Sequence, residues 1–279
     1  MKILITGANG MLAKAVEKEF DGDEQILTDV AELDITNLEA VKKCVSEVKP
    51  DYIINCAAYT AVDKAETEEE LAYKINAIGP KNLAIASKEN GVTLVHISTD
   101  YVFGGSKPVT EDYEENDEKA PQAVYGTTKL EGEKFIEKEC DKYYIFRTAW
   151  LYGDGKNFVK TMLNLAETHD EVKVVNDQHG SPTYAVDLAS IIHQAVNKKI
   201  PFGTYNSTNL GYTTWYDFTK KIYEIKNVNC KVIPVTSEEF ASPAKRPKNS
   251  QMSKEKLLKS GIQIPNYEDA LRRYLEGCK

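Results

Sequence analysis

The stretch Met1-Lys-Ile-Leu-Ile-Thr-Gly7-Ala-Asn-Gly10-Met-Leu-Ala13-Lys-Ala-Val16 decides the fold. Lys2 to Thr6 is an apolar run of strand length, Gly7 to Gly10 is a tight turn, and Met11 to Phe20 carries apolar residues at helical spacing. A strand that feeds straight into a helix through glycines aims unpaired backbone N–H groups and the positive end of a helix dipole at one point, which suits a pyrophosphate. Gly7 lets the chain turn, Gly10 lets a phosphate approach the backbone, and Ala13 is small enough for the helix to lie close to the sheet. Glycine turns of this kind also serve purely structural ends, so the chemistry has to be sought further along the chain.

Beyond the turn, strand and helix patterns alternate. Gln25 to Thr28 reads as a second strand ending at Asp29, roughly 20 residues past the glycines, where a carboxylate accepts hydrogen bonds from a ribose 2′-OH and repels a 2′-phosphate. This favours NADH over NADPH; an Asp that merely ends a strand is the alternative. Leu33-Asp34-Ile35-Thr36 follows, with Asp34 on the adenine side of the same pocket, and Asn37 caps a helix through Val48. Asp51 to Asn55 is a third strand. The segment Asn55-Cys-Ala57-Ala58-Tyr59-Thr60 starts at its carboxyl end, where open parallel sheets bind ligands, and its small residues let a flat cofactor lie against the backbone. A helix from Glu68 to Asn90 carries Asn76, which either holds the loop after strand three or faces water, and Val92 to Ser98 is a fourth strand. The alternation predicts an α/β fold, a Rossmann-like doubly wound parallel sheet with right-handed crossovers.

After Arg147-Thr-Ala-Trp150-Leu-Tyr-Gly153 the alternation loosens, and a smaller C-terminal substrate-binding domain is expected. The expected boundaries are 1–150 for the nucleotide domain and 151–279 for the substrate domain, with 184–200 rejoining the first. Asn157 and Phe158 open a helix through Ala166 whose N-terminus is suited to a diphosphate. Arg246 follows a Ser/Pro/Ala-rich loop and suits bidentate phosphate contact, or a plain surface charge. The last helix, from Tyr267 to Glu276 with Asn266 as its cap, is amphipathic and given no function.

Composition removes other classes. The 279 residues hold 35 Lys plus Arg against 43 Asp plus Glu, a net charge of −8, and no basic stripe with interleaved aromatics, so nucleic acid is not an expected partner. Neither a leader pattern nor a run near the roughly 20 apolar residues of a membrane span is present, so a cytoplasmic chain with no membrane partner is expected. Cys44, Cys56, Cys140, Cys230 and Cys278 are scattered and never in C-x-x-C spacing, which reads as reduced thiols rather than disulfides or zinc ligands. No metal ligand set is assigned.

Ser98-Thr99-Asp100-Tyr101-Val-Phe103 leaves the fourth strand into a loop, and Tyr125-Gly-Thr-Thr-Lys129 opens the next helix. Tyr and Lys four apart share a helix face. A nearby ammonium favours the phenolate and is expected to pull the Tyr125 pKa down from about 10, so that Tyr125 donates a proton to a carbonyl oxygen near neutral pH. The Thr99 hydroxyl would hold that oxygen while a nicotinamide delivers hydride to the carbonyl carbon. A Y-x-x-x-K pair alone is common on solvated helices; its order after the glycine turn and Thr99 gives it weight.

Together these residues resemble the extended short-chain dehydrogenase/reductase family, with Gly7, Gly10 and Ala13 matching a G-x-x-G-x-x-G turn whose last glycine is replaced. Asn55-Cys-Ala-Ala-Tyr-Thr-Ala-Val-Asp63-Lys64-Ala-Glu66, Ser98 to Phe103, Phe146 to Trp150, Asn176 to Thr183 and Arg246 to Ser250 narrow the resemblance to the dTDP-4-dehydrorhamnose reductase family. The resemblance implies reduction of the C4 ketone of dTDP-4-dehydro-L-rhamnose, with Thr99, Tyr125 and Lys129 as the catalytic set and a dTDP-sugar as the partner molecule. For the cofactor it implies Gly7, Asn9, Gly10, Met11 and Leu12 at the turn and Asp29, Leu33 and Asp34 after strand two. Ala57, Ala58, Tyr59 and Asn76 lie around strand three, with Tyr125 and Lys129 beyond. For the substrate it implies Thr60, Val62, Asp100, Tyr101, Trp150, Asn157 and Arg246, with Trp150 against the sugar and Asp100 on a substrate hydroxyl. Dehydratases sharing the S-T-D start need Glu next, and Tyr101 stands there, which disfavours dehydration. Some members of the family use Mg²⁺ at a dimer contact, but no local motif places one here, and monomer and homodimer both stay open. The alternatives are another sugar-nucleotide reductase or epimerase, or a non-catalytic nucleotide-binding subunit such as that of methionine adenosyltransferase.

Overall fold

The computed structural model describes residues 1–277; Cys278 lies outside them. Its elements run β1 (Lys2–Thr6), α1 (Met11–Glu19), β2 (Glu24–Thr28), α2 (Leu38–Val48), β3 (Tyr52–Asn55), α3 (Val62–Ala65) and α4 (Glu69–Tyr73). A π-helical turn (Lys74–Ile78) leads into α5 (Gly79–Asn90), β4 (Thr93–Thr99), a 3₁₀ turn (Asp100–Phe103), α6 (Val124–Glu139) and β5 (Tyr143–Thr148). Then come β6 (Leu151–Tyr152), α7 (Phe158–Ala166), β7 (Glu171–Val175), β8 (His179–Gly180), β9 (Thr183–Tyr184) and α8 (Ala185–Lys198). The chain closes with β10 (Gly203–Asn206), β11 (Thr213–Thr214), α9 (Trp215–Lys226), β12 (Lys231–Val235), α10 (Ser237–Phe240), β13 (Asn249–Ser250), α11 (Glu255–Lys259) and α12 (Tyr267–Gly277).

The main sheet has six parallel strands in the order β10-β5-β4-β3-β1-β2. Ile3, Leu4 and Ile5 are wholly buried, as a central strand with helices on both faces requires. The strand order reverses between β1 and β3, so the glycine turn after β1 sits at the switch point where such sheets leave a crevice. Asn37 caps α2 by accepting from the Ala40 N–H, as its sequence position predicts.

Two expectations are corrected. The helix foreseen from Glu68 to Asn90 is broken by the π-helical turn. Pro80 has no N–H for the Asn76 carbonyl four residues back, so the ladder is interrupted there. A Cβ at Gly132 of α6 would stand 2.2 Å from the Asn76 carbonyl oxygen, so only glycine lets α6 lie against the bulge. The chain also returns to the large sheet more extensively than 184–200. Beyond α8, which packs Leu188, Ile191 and Ile192 into the same core as Ile3 and Ile5, β10 forms the sheet edge, and Leu257, Ile262 and Ile264 join that core.

The smaller lobe has a separate aromatic-rich core built from Tyr152, Val159, Phe218, Tyr223, Leu271 and Tyr274. Its β7–β12 pair was not foreseen in the sequence. Among the described residues, no helix is long and apolar enough to cross a membrane.

Candidate active site

The glycine turn is built as its sequence demands. Gly7 has φ +67°, and a Cβ there would lie 2.7 Å from the Ala57 backbone, so the β1 and β3 ends touch only through glycine. Gly10 caps α1 in extended conformation with no side-chain cap and no acidic residue in the first turn, leaving the helix N–H groups open to an anion. Asp29 braces the turn. Its Oδ2 accepts from the Asn9 N–H at 3.0 Å and its Oδ1 from the Val30 N–H at 2.7 Å, which hold the carboxyl below the usual range. A groove of about 270 Å³ opens beside it, lined by Gly7, Gly10, Asp29, Leu33, Asp34, Ala57 and Ala58.

Some predicted cofactor residues sit elsewhere. Leu12 is buried in the main core, so only its backbone can serve the turn, and Met11 is half-buried against the same core. Asn76 is buried behind the loop after β3. Its Oδ1 accepts from the Tyr59 N–H at 2.9 Å, and its Nδ2 donates to the Tyr59 carbonyl and the Thr128 hydroxyl. It therefore holds that loop and does not line the groove.

Thr99 closes β4, and Tyr125 and Lys129 lie in the first two turns of α6. Val124 donates its N–H to Glu66 at 3.0 Å, fixing the start of α6, and Gly126 lets that helix approach the Tyr101 carbonyl, where a Cβ would come within 2.5 Å. Tyr125 is half-buried, its ring edge-on to Tyr101 at 5.4 Å. The depressed Tyr125 pKa expected from the sequence is not found. Burial, with the Asp100 carboxylate second, pushes the phenol above its ordinary value. Lys129 is buried with its Nζ 2.6 Å from the Ile97 carbonyl, and burial brings it down to about 8. Desolvation sets the direction of both shifts, and the attraction that the spacing implied is not found.

Asp100 also differs from expectation. It is buried, its Oδ1 accepting from the Thr99 hydroxyl at 2.9 Å and its Oδ2 from Ser250, and burial raises its carboxyl to about 6. Both oxygens accept from protein donors, and Asp100 is not among the residues that line the cleft beside it. The Thr99 proton goes to Asp100, and the Thr99 oxygen accepts from the Tyr101 N–H at 3.3 Å.

A second cleft, of about 260 Å³, adjoins this trio and is lined by Tyr101, Trp150, Phe158, Trp215, Arg246 and Ser250, among others. Trp150 has φ +50°, a strained conformation for a side chain of its size, and stacks on Trp215 with ring centroids 3.8 Å apart. Gly180 lies beneath it, where a Cβ would stand 2.9 Å from the indole. Arg246 reaches across the two lobes, donating to Asp63 at 2.8 Å, the Tyr101 hydroxyl at 3.1 Å and Ser242 at 3.2 Å. Burial pushes Tyr101 up to about 12.

Asn157 does not line this cleft. Buried at the start of α7, it accepts from the Lys160 N–H and gives its amide protons to the Gly153 and Gly155 carbonyls and the Tyr274 hydroxyl. Thr60 is exposed and Val62 half-buried just ahead of Asp63, and neither lines the cleft. Trp215, Phe158, Gln178, Phe240 and Ser250 line it without having been foreseen. For Gln178 and Ser250 the signal was available, since both lie inside motifs that carry the resemblance. Among the described residues, no group of three or more His, Cys, Asp or Glu is arranged to hold a metal ion.

Comparison with known proteins places this geometry. The model of the family described as RmlD substrate binding domain matches residues 1–279. The spore coat polysaccharide biosynthesis protein SpsK of Bacillus subtilis is 38% identical over 278 residues, 99% of this chain and 97% of that protein. A crystal structure of a dTDP-4-dehydrorhamnose reductase from Clostridium acetobutylicum is 52% identical with a TM-score of 0.96, covering 99% of each chain. Another, from Bacillus anthracis and in complex with NADP, is 44% identical with a TM-score of 0.95, covering 99% of this chain and 100% of that one.

Proposed function

Since this chain belongs to the RmlD substrate binding domain family, alongside the dTDP-4-dehydrorhamnose reductases, we propose that it reduces the C4 ketone of dTDP-4-dehydro-L-rhamnose to dTDP-L-rhamnose. The observation that carries this reading is Tyr125 packed edge-on against Tyr101, which lines a mostly apolar, tryptophan-walled cleft.

The residues present fit a nicotinamide dinucleotide. The Gly7 contact, the uncapped start of α1 and the groove beside Asp29 form a cradle that a Cβ at Gly7 would fill. When bound, that cofactor supplies the hydride for the carbonyl carbon. We propose NADH as the preferred cofactor, with NADPH accepted. The lowered pKa of Asp29 keeps a negative charge at the end of β2, where a 2′-phosphate would be repelled, while the Bacillus anthracis relative is described with NADP.

The protein's own part is proton supply and orientation. The raised pKa of Tyr125 keeps its proton in place through neutral pH, and Asp100 with the Tyr101 N–H fixes the Thr99 hydroxyl. A ketone oxygen entering the cleft accepts that proton. For Thr99 to donate to the same oxygen, its hydroxyl must rotate away from Asp100. The ammonium of Lys129 stabilises the phenolate left behind. Trp150 and Trp215 offer apolar surface to the sugar, and Arg246 has an unused N–H on each terminal nitrogen for a diphosphate, held from behind by Asp63. We place the reaction in the cytoplasm, and the assembly as a monomer or a homodimer.

Purified protein mixed with NADH and dTDP-4-dehydro-L-rhamnose is expected to oxidise the cofactor in proportion to ketosugar consumed. An epimerase would recycle it. Tyr125→Phe removes the proton donor and is expected to lower kcat roughly 10²–10⁴-fold with cofactor affinity unchanged. Cofactor binding without turnover in the unmodified protein would instead support a binding subunit.

A further inference from the structure

His96 lies in β4, fully buried, and no step above uses it. Its Nδ1 is 3.0 Å from Asn55 Nδ2 and its Nε2 is 3.3 Å from Lys129 Nζ. Turning the ring over would set carbon opposite both partners, so the two contacts fix its orientation. The Asn55 amide is fixed as well. Its Oδ1 accepts from the Ala57 backbone N–H at 3.1 Å and the Thr6 hydroxyl at 2.7 Å. A backbone N–H only donates, so the amide oxygen must face it and the amide N–H must face His96. Nδ1 therefore accepts, and a neutral imidazole that accepts at Nδ1 carries its proton on Nε2. The doubly protonated ring would oppose the Asn55 N–H, and burial drives His96 well below its ordinary range.

That Nε2 proton points at Lys129. An ammonium has only N–H groups to offer it, whereas a neutral amine accepts it through its lone pair and still donates to the Ile97 carbonyl at 2.6 Å. We propose that His96 is a positioning residue which, oriented through Thr6 and Asn55, presents an N–H to Lys129 and favours its neutral amine. The inference rests on the reading of Lys129 as the residue that serves Tyr125. Burial acts in the same direction, while Glu133 further along α6, itself paired with Arg147, and the Cys56 thiol after β3 favour the ammonium. Tyr125 lies one turn earlier on the same helix.

Because the ammonium stabilises the phenolate and the amine does not, kcat/KM is expected to fall on the alkaline side as Lys129 loses its proton. The test compares pH profiles of the unmodified protein, His96→Asn and His96→Gln. Asn reaches only the Nδ1 position and offers nothing to Lys129, so its alkaline limb should move up by roughly one pH unit, a tenfold change in the ratio of amine to ammonium. Gln extends an N–H to the Nε2 position and should leave the limb in place. Long-range ¹H–¹⁵N spectra of the unmodified ¹⁵N-labelled protein at neutral pH should show His96 protonated at Nε2 alone. A ring protonated at Nδ1, an imidazolium, or a His96→Asn limb that coincides with that of the unmodified protein would overturn the proposal. The spectrum needs no substrate, so it decides the tautomer even if a variant fails to fold. Should the protein prove inactive on the ketosugar while His96 shows the Nε2 proton, the reductase reading falls and the hydrogen-bond assignment stands.

Discussion

Asn157 separates a substrate-binding role from a structural one. Its sequence position suggests contact with a diphosphate, whereas its side chain caps α7 and ties that helix to the Gly153–Gly155 turn and to Tyr274 of α12. Asn157→Ala removes the cap, worth about 1 kcal/mol. It also removes two amide protons shared among three acceptors at 2.6, 2.9 and 3.1 Å, worth about 1 kcal/mol each. The Gly153 carbonyl keeps the Tyr274 hydroxyl as a donor, so the loss there is partial. The sum is about 3 kcal/mol, or roughly 6–10 °C in Tm for a chain of this size. Asn157→Ser keeps a capping oxygen and should recover about a third of the loss. Urea or thermal unfolding of the three proteins measures this, alongside KM for the dTDP-sugar at a temperature where all are folded. A KM that rises tenfold while the midpoint stays unchanged would refute the structural role and return Asn157 to the substrate.

Gly7→Ala forces a Cβ to within 2.7 Å of the Ala57 backbone at positive φ, so the turn must open; the NADH dissociation constant, followed by nicotinamide fluorescence, should rise roughly tenfold or more. An unchanged constant would remove the turn from the cofactor site. Asp100→Asn tests the burial of a carboxylate whose folded pKa, about 6, lies above its ordinary 3.8. The folded chain then binds more protons than the unfolded one between about pH 4 and 6, so its stability falls as pH rises through that window. Asn cannot ionise, so the variant should be more stable by as much as about 3 kcal/mol above pH 6, with the gap closing near pH 4; equal urea-midpoint differences at pH 4 and 7.5 would contradict this.

The large sheet was legible because its signals are local. Apolar runs at Lys2–Thr6 and Tyr52–Asn55, the Asn37 cap and the glycine turn each act within a few residues, and α2 starts and stops where its sequence indicates. The π-helical turn was hidden in an otherwise helical pattern, although Pro80 four residues after Asn76 held the clue. What escaped was everything that depends on burial. Tyr and Lys four apart imply a depressed phenol, but the sign reverses once both side chains leave water and the Lys129 nitrogen is committed to a carbonyl of β4. Asp100 and Asn157 were read as polar groups free for a ligand because their protein partners, Ser250 and Tyr274, are more than a hundred residues away.

The cleft itself shows why this half resists reading. Its lining comes from the 3₁₀ turn after β4, the residue Trp150 after β5, the start of α7, β7, the start of α9, α10 and the loop before β13, so no sequence window contains it. Arg246, in the loop before β13, joins that wall to the 3₁₀ turn through Tyr101 and is held from outside the lining by Asp63 after β3. A guanidinium held by a carboxylate on one side keeps its position without a ligand, which lowers the entropy lost when a diphosphate binds on the other. Asp63 was quoted in the sequence only as part of a motif. Its effect on Arg246 follows from a separation of 183 residues that the fold closes to 2.8 Å.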